Sequence, residues 1–208
     1  MKNSLYTLTY AAVMGIVCSI LLTGAGWFTK PYRDANAKAE KVRNILSVLG
    51  VEYEAGSSPK TLLEIFDKNV RVDEREDLEL FVYNDPVEQK TLAVAIPFSG
   101  AGLWGPIKGF LSLEPDMTTI RGIAFHEQEE TPGLGGEISA DWFRDMFKGK
   151  RIESADGKPG IRIVRGGGTS AQNEVDGITG ATMTCDKVEA MLNATIARIV
   201  KERGKDGR

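Results

Sequence analysis

The chain has 208 residues, of which 42% are hydrophobic, and a formal net charge of −3. This length allows one domain with a sizeable core and excludes two large domains. Its 26 lysines and arginines are balanced by 29 aspartates and glutamates and form no long basic run, so the composition gives no indication of nucleic-acid binding.

An apolar segment opens the chain. No charged residue occurs between Lys2 and Lys30, and the central run, residues 8–28, is long enough to cross a bilayer. A cleaved signal peptide is the alternative, but the run is long for one and Thr23-Gly24-Ala25 is a weak cleavage site. We therefore predict a retained membrane anchor over residues 1–32 and a globular domain over residues 33–208.

The chain contains two cysteines and one histidine. Cys18 lies at membrane depth and Cys185 does not, so we expect no disulfide between them. His126 alone cannot form a metal site, and we interpret it as a solvated or hydrogen-bonded strand residue. The sequence accordingly predicts no metal centre.

Two helices are predicted in the first part of the domain. Apolar residues keep helical spacing over residues 35–49, and Gly50 is a typical helix end, so this helix continues from the membrane into the domain. Ser58 and Pro59 provide an N-cap and a first-turn proline for a second, short helix. The charge run at residues 73–77 is interpreted as a solvated turn or strand edge.

Two antiparallel β-hairpins are predicted in the middle of the chain. Each consists of two runs of strand-forming residues that flank a turn containing aspartate and proline. The first hairpin pairs residues 78–83 with residues 91–96 around Asn84-Asp85-Pro86, and the second pairs residues 107–113 with residues 120–126 around Glu114-Pro115-Asp116.

A glycine-rich loop, Ser99-Gly100-Ala101-Gly102-Leu103-Trp104-Gly105, connects the two hairpins. One large aromatic side chain among small residues suits close approach of a planar ligand to the backbone. The alternative is a flexible hairpin connection with Trp104 buried in the core.

Residues 129–136 are predicted to form a shaped, irregular loop, because Pro132 and three glycines interrupt both the helix and the strand period. Pro132-Gly133 predicts a turn within it. Ser139 is then expected to cap a helix whose aromatic residues lie in the core. Those residues are Trp142, Phe143 and Phe147, with Met146 beside them. A last strand over residues 161–165 leads through Gly166-Gly167-Gly168 to the most informative motif.

That motif is Asp176-Gly177-Ile178-Thr179-Gly180-Ala181-Thr182-Met183-Thr184, which places three hydroxyls directly before a helix. Apolar spacing over residues 188–200 predicts the helix, and Gly204 is a plausible end. The first N–H groups of a helix have no internal partners, so a phosphate near Thr182 would meet several donors. Thr184 is expected to hydrogen-bond the backbone or the phosphate oxygens. The alternative is that Thr182 is an ordinary N-cap residue.

The motif resembles the flavinylation motif of the FMN-binding-domain family through Asp176, Thr179, Gly180, Ala181 and Thr182. The family includes, above all, a flavin-bearing subunit of the Na+-translocating NADH:quinone oxidoreductase and its relative in the Rnf electron-transport complex. The resemblance covers most of the chain. Further matches are the N-terminal apolar segment, residues 102–105, residues 130–136 and residues 166–168.

The resemblance implies a covalent cofactor. In this family a flavin transferase esterifies the hydroxyl of the last threonine of the motif, here Thr182, with the phosphate of FMN. Asp176, Thr179, Gly180 and Ala181 match the positions that the transferase reads.

The resemblance also implies that residues 130–136 lie against the flavin. Thr131 is expected near the ring or the phosphate, and Leu134 is expected to pack on the isoalloxazine. Glu130 has two open interpretations: a carboxylate next to the flavin, which would disfavour the anionic reduced form, or a surface charge without effect. The candidate flavin contacts outside the motif are Trp104, Glu130, Thr131, Gly133 and Leu134.

Two arguments conflict about the side of the membrane on which the domain lies. Five basic residues follow the apolar segment within residues 30–43 while Lys2 and the amino terminus precede it, so the positive-inside rule predicts a cytoplasmic domain. The resemblance implies a domain on the outer, periplasmic face of the inner membrane. Because long translocated domains obey the charge rule poorly, we expect the periplasmic side.

The predicted fold class is α+β: one N-terminal transmembrane helix followed by a single FMN-binding domain of antiparallel strands with helices packed on one side. No Walker motif, dinucleotide fingerprint or acid–base constellation occurs, so NADH is expected to bind elsewhere in the complex. The resemblance implies an electron-transfer subunit of an ion-translocating NADH:quinone reductase or Rnf-type complex. Its expected partners are other membrane subunits, the flavin transferase and the lipid bilayer. The alternatives are a membrane-anchored module or sensor that holds free FMN or another phosphate ligand, and a scaffold in which Thr182 is only an N-cap.

Overall fold

The structure is a computed structural model that describes residues 2–85, 87–88, 90–167 and 171–206. Pro86 of the first predicted turn and Gly168 of the glycine triplet lie outside the described residues. The chain forms two compact units, residues 1–39 and residues 40–208. The division into an anchor over residues 1–32 and a domain over residues 33–208 stays a prediction.

The first unit is the N-terminal part of a 48-residue helix, α1 (Lys2–Leu49). An 18-residue window of this helix has a mean hydropathy of 2.0 and no buried residue. Pro31 lies inside the helix, where its ring nitrogen has no hydrogen to donate. By length and composition α1 is able to cross a membrane, and a signal sequence shares these two properties.

The helix α1 ends where the glycine predicts. Gly50 has a φ of +72°, a left-handed conformation that glycine adopts without steric strain. Its N–H donates to the Ser47 carbonyl at 3.1 Å, and the N–H of Val51 donates to the Leu46 carbonyl at 3.0 Å. These two bonds form a Schellman motif, which satisfies carbonyls that the end of a helix otherwise leaves unpaired.

The second helix, α2 (Pro59–Asn69), confirms its predicted start. The Ser58 hydroxyl accepts a hydrogen bond from the Thr61 N–H at 3.2 Å, and Pro59 occupies the first helical position. The missing N–H of proline removes no bond there, because first-turn N–H groups have no partner inside the helix.

A five-stranded antiparallel sheet follows, in which each strand pairs with the next along the chain. This order confirms both predicted hairpins. It also adds an edge strand within the predicted charge run and a third hairpin, whose tip is the glycine-rich loop. The strands are β1 (Val70–Glu74), β2 (Glu79–Asn84), β3 (Thr91–Ala101), β4 (Pro106–Leu113) and β5 (Ile120–Glu127).

The remaining elements are short, except for the last helix. The chain forms a 3₁₀ helix (Gly135–Ser139), α3 (Asp141–Asp145), β6 (Arg162–Val164), β7 (Glu174–Asp176) and α4 (Thr182–Asp206). The predicted last strand is β6, and its partner β7 lies parallel to it. The expectation that Gly204 ends the final helix was wrong, because one glycine inside a helix costs only about 1 kcal/mol.

Helices cover both faces of the sheet. Leu80 and Val82 of β2 belong to the main core cluster together with residues of α3 and α4. Phe81 points to the opposite face, where its ring lies 6.0 Å from Phe66 of α2 and 5.8 Å from Phe110 of β4, measured between centroids. The expectation of helices on one side was therefore wrong: β2 is apolar on both faces, and both need cover.

The structure corrects two details around α3. The residue before this helix is Ala140, which makes no side-chain cap bond, so Ser139 is not the cap. Phe143 and Phe147 are fully buried as predicted, but Trp142 is half exposed. Because α3 is little more than one turn, consecutive aromatic residues on it cannot all face the core.

Candidate functional site

The helix α4 begins at Thr182, the residue that the motif marks for flavin attachment. The Cys185 N–H donates to the Ala181 carbonyl at 3.0 Å, which makes Ala181 the N-cap position and places Thr182 in the first turn. Within the described part of the chain, the Thr182 hydroxyl has no hydrogen-bond partner. The interpretation of Thr182 as an N-cap was therefore wrong, and its hydroxyl is free.

A tight turn leads into α4. The Ala181 N–H donates to the Ile178 carbonyl at 3.1 Å, so Thr179 and Gly180 occupy the centre of a β-turn. Gly180 has a φ of +81°, and a Cβ at this position would lie 3.0 Å from a methyl carbon of Leu134. Glycine is thus required both by the turn and by the close approach of Leu134.

Asp176 lies upstream of this turn, at the end of β7, and is partly exposed. Gly177 follows it and donates its N–H to the Val164 carbonyl at 2.7 Å, which continues the pairing of β7 with β6. The buried Cys185 thiol accepts the Ile178 N–H at 3.4 Å, and burial raises the pKa of this thiol. A thiol in such surroundings is a structural residue and not a nucleophile.

Glu130 holds two distant segments together. Its Oε1 accepts the Leu103 N–H at 2.6 Å and the Trp104 N–H at 3.3 Å, and its Oε2 accepts the Thr184 hydroxyl at 2.6 Å. The residue is only 5% exposed. The interpretation of Glu130 as a surface charge was therefore wrong, and the predicted partners of Thr184 are replaced by a carboxylate.

Two glycines make room for these contacts. A Cβ on Gly102 would lie 2.5 Å from Glu130 Oε1, and a Cβ on Gly135 would lie 2.5 Å from the Thr184 hydroxyl oxygen. Neither distance is possible for a real side chain. The glycines of both loops therefore serve close packing around one carboxylate.

The loop after Glu130 contains the predicted turn. The Leu134 N–H donates to the Thr131 carbonyl at 3.1 Å, and Gly133 has a φ of +75°, as a type II turn requires. The Gly136 N–H donates to the same carbonyl at 2.9 Å. These bonds hold Thr131 and Leu134 on the side of the loop that faces α4.

A cavity of about 170 Å³ lies where the three segments meet. It brings together most of the predicted site residues, but Asp176, Thr179 and Gly133 do not line it. Leu103, Gly135 and Met183 were not predicted, although each lies next to a predicted residue. The lining residues are Leu103, Trp104, Glu130, Thr131, Leu134, Gly135, Gly180, Ala181, Thr182, Met183 and Thr184.

Large apolar side chains around this cavity are exposed. Trp104 is 68% exposed, Met183 58%, Leu134 44% and Leu103 42%. Burial of Trp104 in the core, the alternative considered from the sequence, was therefore wrong. Clustered apolar side chains at the surface are typical of a binding site.

The residues present fit FMN held by its phosphate. The Thr182 hydroxyl is free, the N–H groups of the first turn of α4 can receive a phosphate, and apolar side chains are available to a flavin ring. The cavity is smaller than the roughly 300 Å³ at which enclosing pockets begin. A flavin here would therefore keep much of its ring outside the cavity, beside the exposed apolar side chains.

Two other features do not belong to this site. The largest cavity, about 660 Å³, lies near the end of α1 and is lined by Arg121, Arg144 and Lys148, each paired with a carboxylate. His126 stacks on Phe110 with ring centroids 4.9 Å apart, and its Nδ1 is buried with no hydrogen-bond partner among the described residues. It is a strand residue, as predicted, but its Nδ1 is not hydrogen-bonded.

Comparison with known proteins gives consistent results. Residues 102–197 match the FMN-binding domain family. The chain is 27% identical to NqrC of the Na(+)-translocating NADH-quinone reductase from Haemophilus ducreyi, over 88% of this chain and 86% of that protein. It is 28% identical to NqrC of Pseudomonas aeruginosa, over 99% of this chain and 94% of that protein.

Solved structures agree with the fold described above. The crystal structure of Shewanella oneidensis NqrC matches with a TM-score of 0.66 and 26% identity, covering 76% of this chain and 91% of that one. The structure of NqrC from Parabacteroides distasonis matches with a TM-score of 0.69 and 28% identity, covering 83% and 95%. The α+β fold with a leading apolar helix is thereby confirmed.

Proposed function

Because residues 102–197 match the FMN-binding domain family, we propose that this protein is the FMN-bearing subunit of a Na+-translocating NADH:quinone reductase. Its relatives over most of its length are named as NqrC of that complex. The observation that carries the proposal is the free Thr182 hydroxyl at a cavity surrounded by exposed apolar side chains. When bound, FMN supplies the electron chemistry, and the protein sets its position, exposure and electrostatics.

Thr182 carries the flavin in a phosphoester. Its Oγ1 forms the new bond to the flavin phosphate, the phosphoanhydride bond of an activated FMN donor breaks, and the hydroxyl proton leaves to a base of the transferase. Thr182 is partly exposed and its hydroxyl is unpaired within the described residues, whereas Thr184 is 2% exposed and donates to Glu130. The first turn of α4 stabilises the phosphate charge through its N–H groups.

The remaining residues divide by position. Trp104, Leu134 and Met183 offer apolar surface to the isoalloxazine ring, and Thr131 lies at the cavity wall. Gly180 and Ala181 leave an approach to Thr182. Asp176, Thr179 and Gly133 shape the turns on either side, and the first two are positions that the transferase reads.

The N-terminal helix anchors the protein in the inner membrane over residues 1–32, and the domain over residues 33–208 lies on the periplasmic side. The length and mean hydropathy of 2.0 in α1 support the anchor. The protein then works with other membrane subunits of the complex, with the bilayer and, during maturation, with the flavin transferase. A flavin ring that is largely outside its cavity suits electron exchange with neighbouring subunits.

The test is co-expression of the full-length chain with a flavin transferase, followed by in-gel flavin fluorescence after denaturation. Thr182→Ala should abolish covalent flavin, because it removes the accepting oxygen. Thr184→Ala should lower it only in part and Thr179→Ala should impair transfer. Peptide mass spectrometry locates the adduct.

An adduct on Thr179 or Thr184, or undiminished fluorescence of Thr182→Ala, would contradict the attachment site. A wild-type chain with no adduct would instead favour a membrane-anchored binding module without electron transfer. Co-purification with membrane redox subunits separates the proposed complex from a stand-alone flavoprotein.

A further inference from the structure

We infer that Glu130 is the positioning residue that determines which hydroxyl receives the flavin phosphate. Its carboxylate engages Thr184 and fixes the Trp104 loop, so that Thr182 is presented as the free acceptor at the start of α4. This inference rests on the proposed covalent attachment and adds the group that directs it.

Glu130 is saturated by donors from elsewhere in the chain. Two backbone N–H groups of the β3–β4 loop, 26 and 27 residues away, and the Thr184 hydroxyl, 54 residues away, all donate to it. Its own N–H donates to Gln128 Oε1 at 2.7 Å, which holds its backbone as well. A carboxylate that accepts only from protein donors has no free lone-pair direction within easy reach of a ligand, so its role is to position other groups.

The same bond separates two hydroxyls that lie two residues apart. The Thr184 hydroxyl is 2% exposed and gives its proton to Glu130 at 2.6 Å. A hydroxyl held in such a charge-assisted bond has neither an approach path nor an open lone pair for attack on phosphorus. The Thr182 hydroxyl is partly exposed and unpaired within the described residues.

The Trp104 loop is the second group that Glu130 positions. The Leu103 and Trp104 N–H groups both point to Oε1, and their side chains form one wall of the cavity opposite Thr182. Trp104 is 68% exposed and has little packing of its own to hold it. Without the carboxylate, two backbone donors lose their partner and this wall loses its anchor.

The test compares Glu130→Gln with Glu130→Ala in the full-length chain. Glutamine can keep all three contacts, since its amide oxygen accepts the two N–H groups and its NH₂ donates to the Thr184 oxygen. Alanine keeps none. Glu129→Ala is the matched control, because Glu129 is the exposed neighbour of the same charge. Circular dichroism and melting temperature show whether each variant folds.

Two readouts are needed. The first is the rate of flavin transfer to the purified chain, with the adduct located by mass spectrometry. The second needs no flavin: acrylamide quenching of Trp104 fluorescence in a chain in which Trp27 and Trp142 are replaced by phenylalanine. This second readout tests the positioning even if the wild-type chain were to carry no covalent flavin, so failure of the proposed function and failure of the inference are distinguishable.

Glu130→Ala is expected to slow transfer by at least roughly tenfold, the loss expected from removing charge-assisted hydrogen bonds, and to change Trp104 quenching. Any residual adduct should be divided between Thr182 and Thr184. Glu130→Gln should restore both the rate and the quenching of the wild type, and Glu129→Ala should change neither.

Thr184 gives an independent arm if Glu130→Ala does not fold. Thr184→Ser keeps the donor and should behave as wild type, whereas Thr184→Val removes one donor and should slow transfer to Thr182. The inference is overturned if Glu130→Ala is modified at Thr182 at the wild-type rate with unchanged Trp104 quenching. It is equally overturned if Glu130→Gln fails as alanine does, because charge and not positioning would then be the cause.

Discussion

At the scale of single residues, the site depends on which polar groups are satisfied and which apolar side chains are not. Thr182 and Thr184 are of the same type and two positions apart, yet one is free and the other is buried against Glu130. Trp104 and Leu134 are exposed although such side chains are more often covered. This combination distinguishes a cofactor site from a packed loop.

Leu134→Ala tests whether the loop over residues 130–136 covers the flavin. The change removes apolar cover and leaves the linkage intact, so FMN should stay attached while its absorbance spectrum or redox potential shifts. Visible spectroscopy and potentiometric titration measure this. Trp142→Ala is the control, because Trp142 is also half exposed but lies outside the cavity lining. An unchanged spectrum and potential in Leu134→Ala would place the loop elsewhere.

His126 should make stability depend on pH. Burial lowers its pKa, with smaller opposing and reinforcing effects from Glu127 and Lys41. A base whose folded pKa is depressed stays neutral in the native state while the unfolded chain gains a proton, so stability is complete above about pH 6.5 and falls as pH decreases below it. His126→Phe keeps the stacking on Phe110 and removes the titration.

The measurement is urea unfolding of wild type and His126→Phe, in detergent, at several values between about pH 5 and about pH 8. The difference between the two proteins isolates this group from the carboxylates that titrate nearby. We expect the wild type to lose stability relative to the variant as pH falls. Parallel pH profiles would show that His126 is equally protonated in both states.

At the scale of secondary-structure elements, local chemistry fixes the ends of the helices. The Schellman motif at Gly50 ends α1, and Ser58 with Pro59 starts α2. The helix α4 instead has an alanine at its N-cap position, so no side chain competes for the N–H groups of its first turn. That gap in capping is where the phosphate of a cofactor fits.

Gly50→Ala and Gly204→Ala should change stability in opposite directions. Gly50 has a left-handed backbone, and a Cβ there would lie 2.6 Å from Arg121 Nη2, so alanine should destabilise the chain. We expect a loss of about 1–2 kcal/mol from the left-handed conformation. Gly204 lies within α4 with open space around it, and alanine should stabilise by about 0.5 kcal/mol.

Thermal unfolding of the full-length variants, followed by circular dichroism, measures both effects. Because each variant adds the same methyl group, the comparison removes any general effect of the substitution. Equal shifts in melting temperature would mean that backbone conformation does not decide the outcome at Gly50.

At the scale of the whole molecule, the protein consists of an apolar helix and a domain that together carry one cofactor. The domain places the site at residues from three segments, the β3–β4 loop, the loop after β5 and the start of α4. Covalent attachment prevents loss of the cofactor outside the cytoplasm. A single apolar helix keeps the domain near the membrane subunits with which it exchanges electrons.

The side of the membrane is the prediction at this scale. Protease added to spheroplasts should remove the domain, because we place it outside the cytoplasm against the charge count around α1. Immunoblotting of an epitope at the C-terminus detects the loss, and a cytoplasmic protein serves as the control for intact cells. Protection in spheroplasts together with digestion in inverted vesicles would overturn this topology and leave a periplasmic transferase without access.

The sequence by itself determined the features that depend on neighbours along the chain. The ends of α1 and α2, both β-hairpins, the Pro132-Gly133 turn and the position of Thr182 at the start of a helix follow from local periodicity and from turn and cap residues. The flavin motif is equally local, because its residues lie within one turn and one helix start. Such features are predictable since nearby residues alone decide their backbone energies.

Only the tertiary structure decided the contacts between distant segments. Glu130 meets Thr184 across 54 residues and Leu103 across 27, and no spacing rule indicates either pair. The same holds for the helices on both faces of the sheet and for the parallel pairing of β6 with β7. The physical reason is that a buried carboxylate takes whichever donors the packed chain brings near it, so its partners are set by the fold as a whole.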